Sequence, residues 1–229
     1  MKLSIVIPVY NEIKSLPIIL KKIYQETPKI KKKIIIIDDF SNDGTREWLS
    51  KRNKKNNISI IFKKKNEGKG SAVMEGIKYT KPNDIIFIQD ADLEYFPKDI
   101  NKLLKQIKNG NDIVLGNRFH KLSHYHYKTF AIANFFISKF VSILYLFKIS
   151  DVAVCYKMFK KNVIEDMKIK SKDFMFDFEF ISKVLKKRTW KISEVNISYK
   201  GRTFKEGKKI SWIDGFRALL VILKVKLFY

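Results

Sequence analysis

The chain has 229 residues, of which 45% are hydrophobic, so one α/β domain with a sizeable core can form. Its formal net charge of +24 favours anionic partners such as nucleic acid, anionic lipid or phosphorylated substrates. The single cysteine, Cys155, excludes an internal disulfide and a cysteine-based metal site. The first residues are not expected to form a signal peptide, because Pro8, Asn11 and Glu12 interrupt a short apolar run.

The first half of the sequence alternates strand and helix patterns. Apolar, mostly β-branched runs predict strands at residues 3–9, 34–37, 58–62, 84–89 and 112–115. Helical patterns separate them, at residues 14–25, 45–55, 68–79 and 97–108. Continuous apolar strands that alternate with helices imply an α/β fold with a mostly parallel, Rossmann-like sheet covered on both faces.

Polar residues follow four of these predicted strands. They lie at residues 10–12, 38–39, 90–92 and 117–118. Ligands of open α/β sheets bind at the carboxyl ends of the strands, so we expect one ligand site there. No GxGxxG motif follows the first strand, which argues against a dinucleotide-binding dehydrogenase.

Two aspartates come directly after the fourth predicted strand. Asp90 and Asp92 flank Ala91, and alternate residues of an extended chain point the same way. Hard divalent cations prefer carboxylate oxygens, and Mg²⁺ commonly combines one or two carboxylates with substrate phosphates. The sequence therefore predicts a metal site at Asp90 and Asp92, with Glu94 as a third or outer ligand.

Two further motifs predict contacts with a nucleotide. Asp38 and Asp39 end the second strand, where one carboxylate can accept from a nucleobase or ribose while the next turn is capped locally. Residues 66–71 form a glycine-rich entry to a helix, where backbone N–H groups favour phosphate and Lys69 adds a positive charge. The spacing is not that of a P-loop.

The second half has a different character. It predicts helices at 129–147 and 178–186, a short strand or turn near 155–159, and a strand at 194–199. A basic loop at 201–209 and an apolar, basic run at 212–229 follow. The helix at 129–147 has one charge, Lys139, and its polar residues Asn134, Ser138 and Ser142 fall within an arc of about 80°. We expect this amphipathic helix and the final run to lie in a membrane interface without crossing the bilayer.

Five motifs occur in an order that resembles one enzyme family. They are Ile-Pro-Val-Tyr-Asn-Glu at 7–12 and the motifs at 38–45, 66–70, 90–94 and 116–118. Together they resemble the family 2 glycosyltransferases with a GT-A fold, and among these the dolichol-phosphate mannosyltransferase and polyprenyl-phosphate glycosyltransferase group. The resemblance continues through Asp151, Glu179 and the basic loop. Asn117 replaces the family's usual Ser, and Cys155-Tyr156 its Gly-Phe, which suggests a subgroup.

The resemblance implies an inverting transfer of a hexose from a nucleotide sugar to a polyprenyl or dolichyl phosphate, with Mg²⁺ or Mn²⁺ as cofactor. It implies one GT-A domain over residues 1–229, with a nucleotide-sugar-binding half (1–118) and an acceptor and membrane-interface half (119–229). The implied donor-binding residues are Pro8, Tyr10, Glu12, Asp39, Lys69, Asp90, Ala91 and Asp92. The implied acceptor-phosphate ligands are Arg118, Lys128, Arg202 and Lys208. The implied catalytic residues are Asp92, Arg118, Asp151 and Arg202.

The kind of acceptor decides whether a general base is needed. A lipid phosphate has a second pKa near 6, so its oxygen is largely ionised at pH 7 and needs basic residues around it rather than a base. A sugar hydroxyl would need a base, and Asp151 or Glu179 could serve. Both acceptors stay open, as do GDP-mannose and UDP-glucose as donors. We interpret His120, His124 and His126 as a solvated loop rather than a metal site.

Two rival classes of protein are less consistent with the motifs. A nucleotidyltransferase would carry a glycine- and arginine-rich loop where residues 9–12 stand. A non-catalytic nucleic-acid-binding protein would suit the charge, but acidic clusters at the strand ends argue against a polyanion there. We therefore expect no nucleic-acid partner. We expect a peripheral enzyme on the cytoplasmic face of the membrane, where nucleotide sugars are available.

Overall fold

The computed structural model describes residues 2–52, 57–119, 123–207 and 211–229. Its strands are β1 (Leu3–Val9), β2 (Lys32–Asp38), β3 (Ile58–Phe62), β4 (Ile85–Ile88), β5 (Ile113–Asn117), β6 (Ser123–His124), β7 (Lys157–Lys160), β8 (Ile192–Asn196) and β9 (Tyr199–Lys200). Its helices are α1 (Leu16–Glu26), α2 (Thr45–Ser50), α3 (Lys69–Lys78), α4 (Ile100–Lys108), α5 (Lys128–Tyr145), α6 (Asn162–Glu165), α7 (Met175–Lys187) and α8 (Trp212–Phe228). Two 3₁₀ turns cover Pro97–Asp99 and Phe204–Glu206.

A seven-stranded sheet in the order β3-β2-β1-β4-β7-β5-β8 forms the centre of the molecule. The pairs among β1 to β4 are parallel, as is the pair of β5 with β8. Strand β7 is antiparallel to both of its neighbours, β4 and β5. Strands β6 and β9 form a separate two-stranded ribbon. The predicted mostly parallel α/β sheet flanked by helices is confirmed.

The core follows from the apolar strand sequences. The side chains of β4 and nearly all of those of β1 and β2 are buried, as expected for strands covered on both faces. In the parallel register, Val9 of β1 pairs with Asp38 of β2, so these two strands end together. The polar residues that follow the strands are therefore gathered at one edge of the sheet.

The second half of the chain contributes more to this sheet than its sequence pattern indicates. The segment at 155–159, predicted as a short strand or turn, leads into β7, which lies in the middle of the sheet between β4 and β5. The predicted strand at 194–199 is divided into β8 and β9, which belong to different sheets. The sheet thus joins strands from both predicted halves.

The long helices of the second half are α5, α7 and α8. Helix α8 packs against both α5 and α7, and the Tyr145 hydroxyl donates a 3.0 Å hydrogen bond to the carbonyl of Ile222. Among the described residues, no helix has both the length and the apolar content that crossing a membrane requires.

Candidate active site

Cavity 1, of about 280 Å³, lies at the edge of the sheet where β1, β2 and β4 end. Pro8, Tyr10 and Glu12 line it from β1 and the turn that follows, and Asp39 lines it from the end of β2. The chain leaves β1 through a left-handed residue, Asn11 (φ 58°). The structure therefore brings these four predicted donor-binding residues together at one opening.

Asp39 organises the loop that precedes α3. Its carboxylate accepts hydrogen bonds from the backbone N–H groups of Glu67 (3.1 Å) and Gly68 (2.7 Å) and forms a 2.8 Å ion pair with Lys63. Asp39 is buried, so these contacts hold it at the wall of cavity 1. The second aspartate, Asp38, pairs with Arg46 (3.0 Å) and also accepts from Ser41 N–H within its own turn.

Glycines allow the N-terminus of α3 to pack closely against the loop before α7. A Cβ atom on Gly70 would lie 2.5 Å from the Ser171 carbonyl oxygen, and one on Gly68 would lie 2.8 Å from that of Lys172. Gly68 also has a left-handed backbone (φ 96°). The glycine-rich motif is therefore explained in part by packing, and it places Lys69 in the first turn of α3, on the wall of cavity 1.

Lys69 belongs to a chain of buried ion pairs that ends at Asp90. Its ammonium lies 3.0 Å from Asp90 and 3.3 Å from Asp177, and Asp177 lies 2.5 Å from the fully buried Lys157. Burial acts to lower the pKa of Lys69, but Asp177 and Asp90 outweigh it and hold the pKa well above the usual value. Lys69 therefore stays charged and holds the Asp90 carboxylate in place.

Asp90, Asp92 and Glu94 lie between two cavities, and each of them lines both. Ala91, between the aspartates, is buried and lines cavity 1. Burial and the neighbouring Asp90 and Glu94 carboxylates raise the pKa of Asp92 to about 8. Asp92 accepts a 3.1 Å hydrogen bond from the Glu94 N–H. Its environment is therefore one in which a bound cation would be favourable.

Glu94 is engaged by the basic loop that follows β9. Its carboxylate accepts from the Tyr199 hydroxyl (3.0 Å) and from the Arg202 N–H (2.6 Å). The guanidinium of Arg202 then reaches Glu12 on the far side of cavity 1 through two 2.8 Å hydrogen bonds. The loop is thus fixed across the cavity, which is lined by both Glu12 and Arg202.

The sequence predicts Asp90 and Asp92 as metal ligands and Glu94 as a third or outer ligand, and this stays a prediction. In the described part of the chain, no group of three or more His, Cys, Asp or Glu side chains is arranged to hold a metal ion. Both Glu94 oxygens face Tyr199 and Arg202. Asp90 and Asp92 nevertheless fit a hard divalent cation, because both are carboxylates at the cavity edge and Asp92 is desolvated beside other acidic groups.

Cavity 2, of about 460 Å³, opens on the other side of the acidic residues. Most of its surface is apolar, and side chains of α5, α7 and α8 line it together with β9. It contains Arg118, a predicted acceptor-phosphate ligand, but Arg202 lines cavity 1 only. Cavity 1, which is rich in charged lining residues, and the more apolar cavity 2 therefore meet at Asp90 and Asp92.

Arg118 is locked in place by Asp151. Two side-chain hydrogen bonds of 2.7 Å join the guanidinium to the carboxylate, which also accepts from the Arg118 N–H and from Asn134 Nδ2. Burial acts to raise the pKa of Asp151, but Arg118 outweighs it and lowers the pKa. The guanidinium also lies 5.1 Å from the centre of the Tyr199 ring.

Both carboxylates predicted as candidates for a general base are engaged in hydrogen bonds and ion pairs. Asp151 is fully buried, and its oxygens accept from Arg118 and Asn134. Glu179 accepts from the backbone N–H groups of Lys170 and Ser171 and pairs with Lys183 at 2.7 Å. Both geometries argue for structural roles: Asp151 positions Arg118, and Glu179 holds the loop before α7.

The other basic residues that were predicted for the site lie away from both cavities or outside the described residues. Lys128 is the first residue of α5, with an exposed side chain that does not line either cavity. Lys208 and His120 lie outside the described residues. Of the other two loop histidines, His124 is in β6 and His126 lines cavity 2.

Helix α5 turns its polar arc inward and its apolar face outward. Asn134 and Ser138 are buried, and Ser138 accepts from the Val152 N–H. Phe136 and Ile143 are 66% and 76% exposed. Helix α8 repeats the pattern, with Trp212 80% exposed, so the two neighbouring helices present apolar side chains to the surroundings.

Sequence reasoning missed several residues that shape the site. Asp177, itself paired with Lys157, anchors Lys69. Asn134 holds Asp151, and Tyr199 contacts both Glu94 and Arg118. Lys157 comes directly before the apolar residues Met158 and Phe159. A charged residue within such an apolar run indicates a buried ion pair. Asn134, a polar residue in a mostly apolar helix, similarly indicates a buried hydrogen bond.

Comparisons with known proteins identify the family. The family model for glycosyl transferase family 2 matches residues 4–168 of this chain. The chain therefore belongs to glycosyl transferase family 2, which confirms the prediction of a glycosyltransferase.

Two curated relatives carry names that fit the predicted subgroup. The chain is 36% identical to a dolichol-phosphate mannosyltransferase of Pyrococcus furiosus over 121 residues, which are 53% of this chain and 34% of that protein. It is 30% identical to an undecaprenyl-phosphate 4-deoxy-4-formamido-L-arabinose transferase of Photorhabdus laumondii over 171 residues, 72% of this chain and 51% of that protein. The chain thus spans about a third to a half of these relatives.

A solved structure shows the same fold. Glucosyl-3-phosphoglycerate synthase from Mycobacterium tuberculosis, in complex with Mn²⁺, uridine diphosphate and phosphoglyceric acid, matches with a TM-score of 0.76 and 12% identity. The match covers 100% of this chain and 79% of that one. The predicted GT-A fold is confirmed.

Proposed function

We propose that this chain transfers a hexose, with inversion, from a nucleotide sugar to a polyprenyl phosphate. Cavity 1 would take the nucleotide and diphosphate of the donor, and cavity 2 the phosphate and first lipid units of the acceptor. The observation that carries the proposal is that Asp90 and Asp92 line both cavities. Donor and acceptor would then meet beside the two aspartates.

The residues that line each cavity suit the chemistry of the substrate that we assign to it. Cavity 1 offers Asp39, Lys69 and Arg202, polar groups that suit a nucleoside and its diphosphate. Cavity 2 combines Arg118 with apolar walls from α5 and α8, which suits a phosphate attached to a hydrocarbon. The names of the two curated relatives, a dolichol-phosphate and an undecaprenyl-phosphate enzyme, support the same acceptor class.

We also propose that the two halves of the chain bind different substrates. Residues 1–118 would supply most of the donor site, and residues 119–229 most of the acceptor site and the membrane contact. Cavity 1 also takes Asp173, Phe174 and Arg202 from the second half, so both halves would contact the donor.

In the reaction, an ionised oxygen of the acceptor phosphate attacks the anomeric carbon from the face opposite the nucleotide. A carbon–oxygen bond forms there while the bond to the diphosphate breaks, and the nucleoside diphosphate leaves with the electron pair. Arg118 would orient the attacking phosphate, and Lys69 would face the charge that develops on the leaving diphosphate. No proton has to be removed from such an acceptor, in accord with the pairing of Asp151 and Glu179.

A divalent metal, Mg²⁺ or Mn²⁺, would be held by Asp90 and Asp92 together with donor phosphate oxygens. When bound, such an ion neutralises negative charge on the leaving diphosphate. The fold neighbour that was crystallised with Mn²⁺ and uridine diphosphate is consistent with this assignment. Glu94 would act around this site by fixing Tyr199 and Arg202 rather than as a direct ligand.

A sugar hydroxyl is the alternative acceptor, and it would require a general base. Neither Asp151 nor Glu179 offers an unengaged carboxylate, and Glu179 does not line either cavity. The geometry therefore favours the phosphate acceptor.

We propose further that the enzyme works at a membrane surface, on the side where nucleotide sugars are available. The outward apolar faces of α5 and α8 adjoin cavity 2, so a lipid acceptor could enter from the bilayer while its phosphate reaches Arg118. The net charge of +24 favours an anionic surface.

The test is a transfer assay with purified protein, Mg²⁺ or Mn²⁺, GDP- and UDP-sugars, and polyprenyl phosphate in detergent. We expect a lipid-linked sugar with polyprenyl phosphate and none with the unphosphorylated polyprenol, the matched control. Product with the polyprenol, or donor turnover without a lipid product, would contradict a phosphate acceptor.

A further inference from the structure

Two buried polar atoms, each on a residue that lines cavity 2, lack a hydrogen-bond partner within the described chain. They are the hydroxyl oxygen of Tyr125 and the amide oxygen of Asn134. Buried polar groups are nearly always paired in folded proteins, because an unpaired one loses its bonds to water and gains nothing. A ligand that enters the cavity can supply the missing partners.

The location of these atoms distinguishes them from other unpaired groups. Trp190 Nε1, Ser182 Oγ and Ser193 Oγ are also buried without a partner, but their residues line neither cavity 1 nor cavity 2. Tyr125 and Asn134 both line cavity 2, as does Arg118. The residues that carry these two unpaired atoms therefore line the cavity that we assign to the acceptor.

The orientation of the Asn134 amide is fixed by its partner. The Asp151 carboxylate, which also holds Arg118, can only accept, so the nitrogen of Asn134 must face it, at 2.7 Å. The amide oxygen is left facing elsewhere, as an acceptor. Asn134 is thus a positioning residue for the Asp151–Arg118 pair.

The ring of Tyr125 is held between other aromatic side chains. Its centroid lies 5.2 Å from that of Tyr199 and 6.1 Å from that of Phe119. Arg118 lies near the same Tyr199 ring, at 5.1 Å. Burial raises the pKa of Tyr125 to about 12, so the hydroxyl keeps its proton at neutral pH and acts as a donor.

We propose that Tyr125 is a further acceptor-binding residue, whose hydroxyl donates a hydrogen bond to the phosphate that Arg118 binds. The inference rests on the proposed function. The Asn134 oxygen cannot contact an ionised phosphate oxygen directly, because both are acceptors. A water molecule must stand between them.

Tyr125→Phe tests the proposal, because it removes the hydroxyl and keeps the ring. Tyr145→Phe is the matched control, since its hydroxyl is already paired with the Ile222 carbonyl and joins α5 to α8. Steady-state kinetics would be measured with the donor that the wild type uses and with a short-chain polyprenyl phosphate as the varied acceptor. Thermal unfolding of all three proteins would be followed in parallel.

For Tyr125→Phe we expect the acceptor KM to rise roughly tenfold, as for loss of a hydrogen bond to a charged group, with the donor KM unchanged. Its unfolding midpoint should stay the same or rise, because an unpaired buried hydroxyl is removed. Tyr145→Phe should lower the midpoint and leave the acceptor KM unchanged.

Two outcomes would overturn the inference while the proposed function stands. One is an acceptor KM of Tyr125→Phe within about twofold of the wild type, which would mean that water alone pairs the hydroxyl. The other is a lowered unfolding midpoint for Tyr125→Phe, which would make the hydroxyl structural. If the wild type makes no lipid-linked sugar, the proposed function fails and the inference falls with it.

Discussion

Arg202 and Glu12 lie 190 residues apart in the chain, and two 2.8 Å hydrogen bonds join the guanidinium of one to the carboxylate of the other. The side chains are 20% and 15% exposed. The pair spans cavity 1 and ties the loop after β9 to the turn after β1. Two segments far apart in the sequence thus meet at the wall of cavity 1.

The energetic coupling of this pair can be measured with a double-mutant cycle of Glu12→Gln and Arg202→Gln. A bidentate, mostly buried pair predicts a coupling of about 1–3 kcal/mol in the free energy of unfolding. The exposed pair Lys187–Asp166, at 3.8 Å, is the control and should show less than about 1 kcal/mol. Additive effects of Glu12→Gln and Arg202→Gln would mean that the loop is not held by this contact.

Gly70→Ala tests the close packing of α3. The new Cβ would lie 2.5 Å from the Ser171 carbonyl oxygen and 2.7 Å from Phe176 Cβ, neither of which is a flexible side-chain end. We expect a loss of about 1–3 kcal/mol in the free energy of unfolding, measured with urea. Gly215→Ala is the control, because nothing lies near its Cβ position in α8 and alanine favours a helix by up to about 1 kcal/mol. Equal stabilities of Gly70→Ala and the wild type would contradict the packing argument.

The Asp151–Arg118 pair predicts a particular loss of stability in acid. Arg118 lowers the pKa of Asp151 in the folded chain against the opposing effect of burial. The unfolded chain therefore binds more protons below about pH 4, and the free energy of unfolding falls as the pH decreases through that range. Asp151→Asn should flatten this dependence, and it should cost about 3–5 kcal/mol at pH 7 because Arg118 loses its buried partner.

The control for this acid experiment is Asp166→Asn, which changes an exposed carboxylate. Urea unfolding at several pH values between 2 and 7 would be compared for both variants. Asp166→Asn should keep the wild-type pH dependence. An unchanged pH dependence in Asp151→Asn would show that the pair does not lower the pKa of Asp151.

The membrane proposal predicts that vesicle binding depends on the outward faces of α5 and α8. Phe136→Ser together with Leu227→Ser replaces two exposed apolar side chains, so the fold should be retained while co-sedimentation with anionic vesicles falls several-fold. Ile18→Ser on α1 is the control for a general loss of surface apolar area. Equal sedimentation of all these proteins would argue against the proposed contact surface.

The parallel half of the fold could be predicted from sequence because its signals are local. Strands β1 to β4 are apolar runs long enough to be recognised alone, and the acidic residues follow them directly. Strand β7 could not be placed in the same way. Lys157 and Lys160 interrupt its apolar pattern, so the sequence leaves a strand and a turn open. The buried charge of Lys157 is paired by Asp177, twenty residues further on.

The sequence pattern also could not predict which residues the site residues contact. Residues 90–94 predict a carboxylate cluster, but the orientation of Glu94 is decided by Tyr199 and Arg202, more than 100 residues away. The inward polar arc of α5 is a similar case, because Asn134 and Ser138 are buried only where residues 151 and 152 supply their partners.

Asp92 lies between the two cavities, where we place the metal and the reacting groups. The most direct test of this assignment is the transfer rate of Asp92→Asn. This nearly isosteric change removes the carboxylate that we assign to the metal, and with it the cation that would neutralise the donor diphosphate, with Asp166→Asn as the control. We predict that kcat/KM for lipid-linked sugar formation falls at least about a hundredfold in Asp92→Asn and stays at the wild-type level in Asp166→Asn. Wild-type turnover by a correctly folded Asp92→Asn would contradict the assignment of the active site.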